Sequence, residues 1–149
     1  MSILYAVSID MTARIRIPTF DATIVYMWDV DRVNLKRYVN KKYKFDIENL
    51  HEQFAGITVS LDNLSWLIYV PDTGADDLIW LTRTLSHEAN HVILQLMKAV
   101  GVEDEETICY AQDNLLGELL RYSLKGMVKK KNSKRKSKTV KEKKKNPRR

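Results

Sequence analysis

His87-Glu88-Ala89-Asn90-His91 is the run of residues whose types and spacing could carry chemistry. Two imidazoles four residues apart lie one above the other on a helix face, where each can turn a ring nitrogen toward a common point. Two zinc ligands need that geometry. Glu88 follows one residue on, about 100° around the helix. From there its carboxylate can stand beside a metal without binding it and take a proton from zinc-bound water. The implied reaction is hydrolysis. Shuffling the chain would produce this pattern in roughly one sequence in 500, so composition does not explain it.

Hydrolytic zinc sites use three protein ligands and leave a fourth position for water. Glu103, Asp104, Glu105 and Glu106 come shortly after the two histidines and just past Gly101. A helix returning from that turn could bring one carboxylate back to the metal. Acidic residues also gather at helix starts because the dipole favours them there. One of the four can therefore ligate while the others cap.

The elements that must position these groups are legible in outline. Ala22 to Val30 is rich in β-branched and aromatic residues and reads as a buried strand. Helical spacing follows from Asp31, a fitting N-cap, to Tyr43. Gly56–Leu61 and Leu64–Val70 read as an antiparallel hairpin around Asp62-Asn63, and Pro71 to Gly74 breaks the second strand. Asp76 or Asp77 can cap a long helix that Gly101 stops. A further helix opens in the acidic run and continues to about Leu124.

On the motif helix, Leu78, Leu85, Ala89, Val92, Leu96 and Val100 form an aliphatic stripe, and Trp80 and Leu94 flank the histidines. A helix apolar on both sides is expected to be mostly buried. Buried paired imidazoles need a polar partner such as a metal. Two histidines on a solvated face would need none.

The chain has 149 residues, 44% of them hydrophobic, enough for one domain with a core. Charge is unevenly spread. Residues 128 to 149 hold 13 Lys/Arg against one Glu, leaving 12 basic and 18 acidic residues in Met1 to Met127, a net of −6. The expected boundary falls there: a globular domain over 1–127, and a disordered Lys/Arg-rich tail over 128–149. That tail suits nonspecific contact with nucleic acid or another polyanion. Cys109 is the single cysteine, which excludes an intrachain disulfide and fits a reducing compartment; its apolar neighbours suggest a small core residue. No apolar run approaches the ~18 residues of a membrane span, so a cytoplasmic protein without membrane partners is expected.

The run from Thr84 to Leu116, T-L-S-H-E-A-N-H-V-I-L-Q-L-M-K-A-V-G-V-E-D-E-E-T-I-C-Y-A-Q-D-N-L-L, resembles the core of small gluzincin-type HExxH…E zinc metallopeptidases, especially those encoded by bacteriophages. In that group a glutamate ligand follows on the next helix, one turn before an aromatic-small pair. The resemblance therefore implies Glu106, one turn before Tyr110-Ala111, as third ligand, with Glu105 as runner-up. It implies a compact zincin-like α/β (α+β) domain: a small mixed sheet, an active-site helix and a glutamate helix. One Zn2+ would be held by His87, His91 and Glu106, with Glu88 as base and a peptide or protein as substrate. The strand before the active-site helix often pairs with substrate in such enzymes, which nominates Leu64 to Val70. For a phage-encoded protein the compartment would be the host cytoplasm.

This chain departs from longer family signatures: there is no third histidine with a Met-turn, and Tyr110 stands where an Asp would follow the ligand. Tyr110 and Asp113 share the face of Glu106 by helical spacing. They could supply an oxyanion donor and an acceptor for a ligand imidazole. His51, with no second histidine four residues on, reads as a surface residue. Two other functions fit the same residues: a phage accessory protein that keeps the zinc fold without turnover, or a polyanion-binding protein acting through its tail. A base at Glu88 argues against both, because a structural metal site has no use for one.

Overall fold

A computed structural model describes residues 11–44, 46–47, 54–73 and 77–145, with the main chain alone at 130 and 137–145. The fold is mixed α+β. Strands β1 (Thr12–Ile17), β2 (Ala22–Trp28), β3 (Ile57–Asp62) and β4 (Ser65–Val70) form one sheet, and helices α1 (Arg32–Tyr43), α2 (Leu78–Val100) and α3 (Glu105–Lys145) complete it. The strands lie in the order β1-β2-β4-β3. β1 and β3 run antiparallel to their neighbours, whereas β2 and β4 pair in parallel.

The two central strands are apolar at nearly every position because both sheet faces are covered. Successive side chains point to opposite faces. Ile24, Tyr26, Trp28, Trp66, Ile68 and Val70 pack with α2 and α3. Val25, Met27, Leu67 and Tyr69 pack with Leu35 and Val39 of α1 on the other side. In the core on the α2 side the Tyr26 hydroxyl lies 2.7 Å from Ser123 Oγ, both groups buried. Burial pushes the Tyr26 phenol well above its usual pKa, since ionisation there would strand a charge away from water.

Local signals fix the element ends. The Asp31 carboxylate accepts from the Asn34 amide to open α1, and that of Asp77 accepts from the Trp80 amide to open α2. Gly101 closes α2 at φ 72°, with its N–H donating to the Met97 carbonyl. The hairpin turn lies on Asn63-Leu64, one residue later than the Asp62-Asn63 pair suggests, and the ladder slips between Ser60 and Asp62.

Three expectations need correction. β1 is an additional strand. Its T-A-R-I-R-I alternation puts Ala13 and Ile15 inside while Arg14 and Arg16 stay exposed. β4 lies between β2 and β3, so its backbone is already paired on both sides and cannot accept an added strand; the free edge on this side is β3. And α3 does not end near Leu124: its main chain stays helical to Lys145. Lys and Arg are good helix formers, and the segment meets no proline before Pro147. Packing nonetheless ends earlier. Leu115, Leu119, Ser123 and Met127, spaced by four, are the buried stripe of α3, and Met127 is the last buried residue described.

Candidate active site

Helix α2 places the motif by its phase on the sheet. Leu81, Leu85, Ala89, Val92, Ile93 and Leu96 are fully buried. The stripe is therefore shorter than expected at its start, where Leu78 is 54% exposed at the open first turn. With that face inward, His87 and His91 lie on the outer side, and both are exposed. They were expected to be buried between two apolar faces. Leu94, which should have completed the second face, is itself exposed, so the helix is apolar on one side only.

The two rings nonetheless converge. His87 Nε2 and His91 Nε2 are 3.0 Å apart, and the rings stand nearly perpendicular with centroids 4.6 Å apart. Two nitrogens bound to one tetrahedral zinc at ~2.0–2.1 Å would be about 3.3 Å apart. The pair fits half of a zinc donor set with a small adjustment.

Glu88 occupies a different environment. One step around the helix takes it from the open face to the sheet edge, where it is only 5% exposed. The Thr58 hydroxyl of β3 donates to Glu88 Oε2 at 2.6 Å. Just before β3, Gly56 lies so close that an added Cβ would come within 3.0 Å of Glu88 Cγ and Thr84 Cγ2. Glu88 is thus clamped between a hydroxyl and a bare stretch of backbone. It lines, with His87, a cleft of about 640 Å³ between α2 and the chain leading into β3. Phe54 and Trp80 add aromatic surface to that cleft, and Arg83 adds a cation one turn before His87.

Glu106 is not brought to the pair. Among the described residues no three His, Cys, Asp or Glu side chains come together as metal donors. Glu105 and Glu106 are both exposed at the start of α3. The residues of α3 that reach the groove beside His87 are Gln112 and Leu116. By helical phase Glu105, seven residues before Gln112, lies on that same face, whereas Glu106 is turned about 120° away. Asp104 takes the capping role: the Thr107 amide and hydroxyl donate to its carboxylate, which holds its pKa below the usual value.

The remaining candidates are dispersed. Tyr110 lines a separate cavity with Ile15, Pro18 and Phe20, on the β1 side of α3, so it does not face the histidines. Asp113 is exposed. Cys109 is exposed as well, in place of the core position expected from its neighbours, because the buried side of α3 passes through Leu115 and Leu119 instead. His51 lies outside the described residues. Comparison with protein-family models, curated proteins and solved structures finds no match for this chain. No helix among the described residues is long and apolar enough to cross a membrane.

Sequence reasoning missed Thr58, Gly56, Arg83 and Gln112. Thr58 and Gly56 carry no local signal, since they acquire meaning only when the hairpin sets β3 against α2. Arg83 did have one: it precedes His87 by four residues and so shares its helix face.

Proposed function

We propose that this chain is a zinc-dependent metallopeptidase in which His87 and His91 supply two metal ligands and Glu88 is the general base. The observation that carries this reading is the convergence of the two Nε2 atoms at 3.0 Å beside a buried carboxylate in the wall of a cleft. His87 lines that cleft together with the clamped glutamate, and His91 meets the cleft only through its ring contact with His87.

The roles follow from the surroundings. Thr58 occupies Glu88 Oε2, so Oε1 is the oxygen left to take a proton from the attacking water. Because packing already fixes the carboxylate, little of its freedom remains to be lost during reaction. A zinc ion at the pair would acidify that water and polarise the scissile carbonyl. The third donor does not fit the same test, since neither Glu106 nor Glu105 approaches the histidines. Glu106 is proposed as that ligand on the family resemblance alone, and Glu105 on helical phase. An extended peptide in the cleft would meet Phe54 and Trp80 with apolar side chains and Arg83 with a carboxylate.

Metal analysis of the purified protein, followed by cleavage of a broad peptide library, tests the reading. About one zinc per chain is expected, lost in His87→Ala and His91→Ala. Glu88→Gln should keep zinc and lose cleavage. Glu106→Ala and Glu105→Ala separate the two third-ligand candidates by which of them sheds metal. A full-length protein with no zinc affinity below millimolar refutes the proposal.

A further inference from the structure

The basic segment is the continuation of a core helix, which changes what it can do. The buried stripe of α3 steps by four through Leu115, Leu119, Ser123 and Met127. The next two steps are Lys131 and Arg135, both exposed. The row of side chains that holds α3 to the sheet thus becomes cationic on leaving it. From Val128 to Lys145 the helix carries 11 Lys/Arg and one Glu, and its only apolar residues are Val128 and Val140.

We infer that this helical extension binds the phosphate backbone of double-stranded nucleic acid without sequence preference. Charge density is the first argument. The 18 residues span roughly 27 Å as a helix, close to one positive charge per 2.5 Å, against one phosphate per ~1.7 Å of duplex. Arrangement is the second. At about 100° per residue the cations cover every face, leaving no apolar stripe for a lipid surface. No aromatic residue lies beyond Tyr122, so there is no platform on which single-stranded bases could stack. Self-repulsion is the third. Lys131 and Arg135 carry like charges at a spacing of four, as do the sequence positions 130/134 and 134/138, a repulsion within the helix that a polyanion would relieve. The acidic 1–127 portion, at net −6, contributes nothing to such binding and would turn away from the duplex.

The test uses the full chain and labelled 20-base-pair duplexes of two unrelated sequences. A second full-length variant replaces Lys129, Lys130, Lys131, Lys134, Arg135 and Lys136 with Gln, which preserves helix propensity. Wild type should bind both duplexes equally at 50 mM salt and lose roughly 10³-fold in affinity by 200 mM, the counterion-release signature of six or more phosphate contacts. The helical circular dichroism signal should be retained in the complex. The six-fold variant should bind at least tenfold more weakly with a shallower salt slope. Removing zinc with a chelator should change nothing, so this inference fails or stands independently of the metallopeptidase reading. Absence of binding at 50 mM salt, salt-independent binding, an unweakened variant, or preference for phosphatidylserine vesicles at equal phosphate would each overturn it.

Discussion

His87 and Glu88 are adjacent in the chain yet are held in place by different means. Glu88 is buried, bonded to a strand 30 residues earlier and pressed against Gly56. His87 is exposed, and its described ring partner is His91 on the same helix. The histidine pair is a product of helical pitch alone, because any helix brings residues four apart together. The base is a product of packing, because only the sheet edge gives its carboxylate a partner. A site built this way has one component that local structure preserves and one that any disturbance of β3 should disable.

Mutations can sharpen that difference or break it. The largest effect is expected from Glu88→Gln, which keeps the side chain's shape and its Thr58 contact. Hydrolysis should fall roughly 10²–10⁴-fold, the usual cost of losing a general base, with little change in thermal midpoint. An unaffected rate would show that the buried carboxylate is structural. Next comes Leu85→Ala, on the sheet-facing side of α2, which should cost about 2–5 kcal/mol in urea unfolding because it opens a cavity under the site. A loss below ~1 kcal/mol would mean that the sheet-facing stripe does not set the phase of the helix. Thr58→Val should be smaller, about 1–3 kcal/mol for a buried carboxylate oxygen left without its donor. Thr58→Ser should restore most of both stability and rate. If Thr58→Val lowers stability but leaves the rate of hydrolysis unchanged, the clamp does not position the base.

The smallest effect is expected where the chemistry is most visible. In metal-free protein His87→Ala and His91→Ala should change stability by no more than about 0.5 kcal/mol, as for other exposed substitutions. Their consequence should emerge only with zinc. Wild type should gain about 2.7 kcal/mol at a zinc concentration 100 times its Kd, and neither variant should gain any of it. A stabilisation that survives both substitutions would place the metal elsewhere.

The sequence by itself determined what depends on neighbours in the chain. Asp31, Asp77 and Gly101 mark helix ends through local hydrogen bonds and a positive φ, and the His87–His91 spacing sets the ring convergence. The apolar run in β2 announced a buried strand, and that in β4 one arm of a hairpin. What it could not determine is which of two plausible neighbours a side chain meets, because that depends on how helices and strands rotate about one another. The same acidic run could present Glu106 or Glu105 to the histidines, and a difference of about 100° per residue decides it. Tertiary packing turned Gln112, not Glu106, toward the groove beside His87. It placed β3 rather than β4 at the free edge, and so made Thr58 and Gly56 neighbours of the base. It left the histidines in solvent, because one apolar stripe was enough to bury α2 against the sheet.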